Sequence, residues 1–251
     1  MITIVPVSTP DKKLLNKEEI EAAVAIIGVI NQWFGDVSLG IGAANLEVIK
    51  FPNLGNALFS PKSLNPGFPC DRIYISMDKF TRWNQFIFQA SHEFTHCVIH
   101  RLNSNENQKA LWIEETICEA MSLGFLQIFA NSWNNCVLSQ HNLTYSVAIQ
   151  NYLNNQLNET GTSKLEKCCG LEELQEINQY SADHREYRSN EMHKLFFLIK
   201  DSVDVKALVH YRDYVEPNTI LLDTDKYRAA YPDLESVRYL CELQENAISK
   251  R

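Results

Sequence analysis

No apolar run in this chain reaches the roughly eighteen residues that a membrane-spanning helix needs. The longest, AAVAIIGVI at 22–30, is about half that length and reads as a buried helix. Positive charge is also scarce. The chain has 23 Lys and Arg against 31 Asp and Glu, a formal net charge of -8. Clustered cations of the kind that grip a phosphate backbone are missing, which excludes nucleic acid as the expected partner. The N-terminus, MITIVPVSTPDKK, has no basic stretch leading into an apolar one. No secretory signal is visible, so the expected compartment is the cytoplasm, although a mature secreted chain would begin in the same way. The Cys residues, at 70, 97, 118, 136, 168, 169 and 241, are odd in number and form no C-x-x-C pair. They read as reduced, mostly structural thiols. Repeats and low-complexity tracts are lacking too. The sequons at Asn142 and Asn158 carry little weight without a signal.

What is present suits a globular fold. The 251 residues, 45% of them hydrophobic, fit one domain or one domain with an appended subdomain. Residues 17–34 carry apolar side chains at helical spacing, with acids in the first turn and Gly35 after the last. Between 37 and 76 the pattern changes to short β-prone runs, LEVIKF, ALFS and RIYISM, divided by Pro, Gly and Asn. These predict about three strands. From Asp78 the helical period returns. Phe80, Trp83, Ile87, Ala90, Phe94, Cys97 and Val98 trace one apolar stripe. After the polar break NSNENQ, a second long helix is expected at about 107–130. One helix with loose flanks is expected within the Asn-rich stretch 131–163, and a helical run over the last ninety residues.

The stripe passes through QASHEFTHCVIH at 89–100. His92 and His96 are four residues apart. On a helix both rings project from one face, a turn apart, and can converge on one tetrahedral ion. Glu93 lies about 100° round from His92. It is placed beside the pair as a base and not on it as a ligand. A shuffled chain of this composition contains H-E-x-x-H on the order of once or twice in a hundred trials. Here the motif also lies on a segment that is independently helical. His100 shares the face but stands about 12 Å along the axis from His92, too far for the same ion. It is expected to be a partly exposed structural residue.

A zinc site of this kind needs a third protein ligand. The next helix offers ALWIEETICEAMSLGF, in which Glu115 follows His96 with eighteen residues between them. With its Trp112 and the WIEET context, this segment resembles the gluzincin metallopeptidases, the clan of thermolysin and the zinc aminopeptidases. The resemblance covers residues 80–125. It implies His92, His96 and Glu115 as ligands of one Zn2+ per chain and Glu93 as general base. It also implies a zinc-activated water that hydrolyses peptide bonds in a peptide or protein substrate. Glu119, one turn on, is a candidate to accept the other ring N–H of a ligand histidine. Glu114 is expected on a solvated acidic face. The resemblance further implies a Tyr or His oxyanion donor on a later helix. Tyr187 is the leading candidate, with Tyr180, His184 and His193 as competitors.

The expected fold is α+β and zincin-like. It is mostly helical, with a small N-terminal mixed sheet packed on the H-E-x-x-H helix and a helical C-terminal part. The expected division is 1–130 and 131–251, forming one compact unit, with ALFS or RIYISM as the edge that takes the substrate strand. Two alternatives stand beside the peptidase. One is a regulatory or binding protein that recognises or cleaves a single partner. The other is a zinc hydrolase of a non-peptide amide, for which a Cys ligand would have to come from upstream, where Cys70 lies in no recognisable motif.

Overall fold

The computed structural model describes residues 2–8, 15–37, 39, 44–159 and 164–249. The architecture is α+β, mostly helical with a small mixed sheet. The chain divides into two compact units that interleave along the sequence. The first takes Met1–Arg101 and Met121–Leu157, the second Leu102–Ala120 and Asn158–Arg251. The expected break at 130/131 falls elsewhere, inside the helix Leu111–Ser132. That helix is continuous and serves both units, so no loop marks the division. Residues 160–163, at the end of the expected loose flank, lie outside the described residues.

In the first unit, β1 (Ile2–Ser8), β2 (Ala44–Lys50), β3 (Leu58–Ser60) and β4 (Asp71–Ile75) form one sheet in the order β1-β2-β4-β3. The first three strands in that order run parallel, and β3 is antiparallel to β4 at one edge. β1 is an addition to the three strands expected. A parallel partner needs a long crossover, so no hairpin turn announces it in the sequence. The crossover contains α1 (Lys17–Asp36). Its Asn16 cap accepts the Glu19 N–H at 2.9 Å. Ala22, Ala23, Ile26, Ile27, Ile30 and Phe34 are its buried apolar face, spaced three and four apart.

α2 (Trp83–Leu102) is buried on nearly every side from Phe86 to His100. Of the expected apolar stripe, all but Trp83 is buried. Trp83 instead packs against Trp133, tilted, and against Tyr145, edge to face. Three polar ties fix α2 to the strand region. The Gln89 amide bonds the Ser76 N–H and carbonyl at 3.0 and 3.2 Å. His100 Nε2 meets Ser63 Oγ at 2.8 Å, and Arg101 pairs with Asp71. His100 is therefore buried, not partly exposed, because the β3–β4 connection covers it and supplies its partner. α3 (Leu111–Ser132) begins four residues later than expected. Its C-terminal half, with Leu123, Phe125 and Leu126, belongs to the first unit. α4 (Tyr145–Asn158) supplies the one helix expected in the Asn-rich stretch.

The second unit contains the N-terminal half of α3 with α5 (Lys164–Lys167), α6 (Leu171–Tyr180), α7 (Ser189–Leu198), α8 (Ser202–Val209), α9 (Thr224–Ala230) and α10 (Glu235–Ser249). The apolar run EMHKLFFLIKDSV is broken after Leu198 because Asp201 caps a new helix. Its carboxylate accepts the Val203 and Asp204 N–H groups at 2.7 and 3.3 Å.

Glu114 corrects a further expectation. It is 1% exposed, not on a solvated face. Its Oε2 accepts the Tyr211 hydroxyl at 2.6 Å and the Arg212 Nε and Nη2 at 2.9 and 2.8 Å. Arg212 Nη1 also donates to the Asn103 carbonyl at 2.9 Å. Burial acts to lower the Arg212 pKa, but the Glu114 charge overrides it and raises it. Trp112 Nε1 donates to the Ile220 carbonyl at 3.0 Å and anchors the same turn. Removing one member of such a pair leaves a buried charge. Arg212→Met is expected to cost about 3–5 kcal/mol of unfolding free energy. The double variant Arg212→Met/Glu114→Met should cost less than the single one. Urea denaturation of both variants checks this, and a single variant within experimental error of the parent would contradict it.

Candidate metal centre

α2 carries the two histidines because its apolar period fixes its rotation. With Phe94, Cys97 and Val98 buried, the turn between residues 92 and 96 presents both imidazoles together. Their rings meet edge to face with centroids 4.9 Å apart. Their Nε2 atoms are 3.1 Å apart. Thr95, between them, returns its hydroxyl to the Ser91 carbonyl at 2.7 Å, so it takes no part in the pair. Among the described residues one group of three potential ligands stands out. His92, His96 and Glu115 of α3 each offer a ligand atom, and these atoms all lie within 4.8 Å of one another. His96 and Glu115 are buried and His92 is partly exposed.

The donor set fits one divalent cation. Two nitrogens bound tetrahedrally at 2.0–2.1 Å stand about 3.3 Å apart. The observed Nε2 separation of 3.1 Å is close to that value. Two neutral imidazoles and one carboxylate are the borderline donors that suit zinc. Glu93, the residue after His92, is 4% exposed and stands outside the group of three, as a base beside a metal must. Cys70 is buried on its own stretch of chain and is also outside that group.

The neighbouring carboxylates have arginine partners. Glu115 Oε2 lies 3.9 Å from Arg188 Nη2, and Arg188 is 1% exposed. Burial lowers the Arg188 pKa, against the opposing charges of Glu115 and Glu119. Glu119 Oε2 lies 3.1 Å from Arg185 Nε. Tyr187 sits in the short turn Arg185–Arg188. Its ring stacks on His184 at 4.7 Å, and the Lys164 ammonium lies 3.9 Å from its centroid. Tyr180 is exposed and edges onto His184, and His184 Nδ1 meets Glu186 at 2.8 Å. From this segment Arg188 meets Glu115, while Tyr187, expected as an oxyanion donor, packs on His184 and Lys164.

The arginines were not anticipated from the sequence. A signal for them existed, since three Glu in an otherwise apolar helix require cations if that helix is buried. HREYR supplies two of them. No known family, curated protein or solved structure matches the chain.

The site sets a metal-binding expectation. Purified chain loaded with zinc and desalted should retain about one ion, by the three-ligand rule. His92→Ala, His96→Ala and Glu115→Ala should each lower retention sharply. Elemental analysis of the four proteins measures this. Full retention by any two single variants would mean that the ion sits elsewhere.

Proposed function

We propose that the chain is a zinc metallopeptidase with a zincin-like fold. The observation that carries this reading is the convergence of His92, His96 and Glu115 within 4.8 Å, with the buried Glu93 next to His92 on the same helix. A structural zinc commonly takes four Cys or His ligands. A three-ligand set of two His and one Glu leaves a position for a reacting group.

A divalent cation held there supplies Lewis acidity, polarising a carbonyl and easing loss of a proton from water. The rest is the work of the chain's own residues. The two imidazoles and Glu115 fix the ion's place. The Glu93 carboxylate takes a proton from the attacking water as the C–O bond forms. It then returns that proton to the amine nitrogen as the C–N bond breaks. Its burial excludes bulk water, which strengthens the hydrogen bonds it makes during the transfer. Charge that develops on the carbonyl oxygen calls for a further donor. The stretch 180–193 holds the candidates Tyr180, His184, Tyr187 and His193. Tyr187 holds the Lys164 ammonium against its ring. The short edge strand β3, the expected run ALFS, has one side unpaired within the four-stranded order and suits an extended peptide added in strand fashion.

Glu93→Gln keeps the shape of the side chain and loses the base. It should retain zinc and fold while losing about 10²–10⁴-fold in turnover on a mixed peptide library. Cleavage at the parent's rate would show that hydrolysis does not run through this motif. Tyr187→Phe, measured beside it, should lower kcat by up to about 10²-fold if Tyr187 is the donor. An unchanged kcat assigns that role to another of the four.

A further inference from the structure

We propose that Arg188 is a positioning residue that holds Glu115 in its metal-binding orientation. This rests on the reading of His92, His96 and Glu115 as ligands. Arg188 is 1% exposed. Nη1 donates to the Ser181 carbonyl at 3.2 Å. Ser181 follows the last turn of α6 and is itself fixed, its hydroxyl bonding the Ile177 carbonyl at 2.7 Å. Nη2 points to Glu115 at 3.9 Å. Nε is buried with no hydrogen-bond partner. Glu119, Glu191 and Arg185 are the other charged groups that act on it.

The adjacent pair shows what a purely structural arrangement looks like in this fold. Arg212 grips Glu114 through two N–H groups at 2.8 and 2.9 Å, and Tyr211 donates to the same oxygen. Glu114 is thereby locked. Arg188 meets Glu115 at a longer distance, by charge and without the paired N–H contacts that Arg212 makes. That contact sets a fixed positive charge 3.9 Å from one carboxylate oxygen. A carboxylate has two oxygens, so it can serve a metal and a guanidinium at once. Side chains that orient metal ligands in this way typically contribute 10–100-fold to metal affinity. Burying a guanidinium destabilises a fold when its donors are poorly matched. Fold stability alone would favour the tighter geometry of Arg212.

The test is a zinc titration of the full chain against a competing chromophoric chelator at fixed pH. The proteins are the parent, Arg188→Gln, Arg188→Lys, Glu115→Ala, the double variants of Arg188 with Glu115→Ala, and Arg212→Met. Arg188→Gln should bind zinc about 10–100-fold more weakly. Arg188→Lys, which keeps the charge and loses the planar fork, should fall between that and the parent. In the Glu115→Ala background neither substitution should change affinity further, because the effect runs through Glu115. Arg212→Met should lose stability in urea but keep zinc affinity within about threefold, as expected of a residue that only supports the fold. Parental affinity in folded Arg188→Gln and Arg188→Lys overturns the proposal. Where Arg188→Gln does not fold, parental affinity in Arg188→Lys alone does so. An undiminished loss in the Glu115→Ala background also overturns it. A parent that binds no zinc, or His92→Ala binding as tightly as the parent, removes the metal site itself, which is a separate result.

Discussion

One buried turn and a half of α3 sets the terms for the molecule. Glu114, Glu115 and Glu119 lie among Trp112, Ile113, Ile117 and Cys118, and all are nearly inaccessible. A carboxylate cannot remain charged in such surroundings without a cation or strong donors beside it. The fold answers with arginines from distant parts of the sequence. Arg212 goes to Glu114, Arg188 to Glu115 and Arg185 to Glu119. The three contacts differ in quality, from two guanidinium N–H groups on one oxygen at 2.8–2.9 Å to an approach of 3.9 Å. The loosest belongs to the carboxylate that lies near the histidines.

The other half of the site depends on how α2 is held. A helix buried on almost all sides has little freedom to rotate about its axis. Gln89, His100 and Arg101 tie it to the strand region along its length. That fixes the direction of His92 and His96 to within a side-chain rotamer. Their 3.1 Å Nε2 separation then follows from the i, i+4 spacing and from packing.

The sequence made the local parts of this legible and left the long-range parts hidden. Spacing placed His92, Glu93 and His96 on one helix, and the WIEET context pointed to Glu115, which the structure brings to the histidines. The helical period marked α1 and α2 to within a few residues. β1 was missed because its partner lies across a helix and leaves no turn signature. Glu114 was expected on a solvated acidic face. Its partner Arg212 is 98 residues away, a separation no periodicity can reveal. His100 went the same way, since the Ser63 that buries it sits on the β3–β4 connection. In the stretch 180–193 attention to Tyr and His as oxyanion donors hid the arginines beside them. The charge balance of a buried α3 was the available clue.

The central claim is that one ion sits on these three side chains. Anomalous diffraction at the zinc edge from crystals of the zinc-loaded chain tests it most directly. The account expects one strong peak within about 2.0–2.2 Å of a nitrogen of His92, a nitrogen of His96 and an oxygen of Glu115. Glu93 should lie near the ion but outside bonding distance. A peak on other side chains, or no peak between α2 and α3 in crystals soaked at saturating zinc, would contradict it.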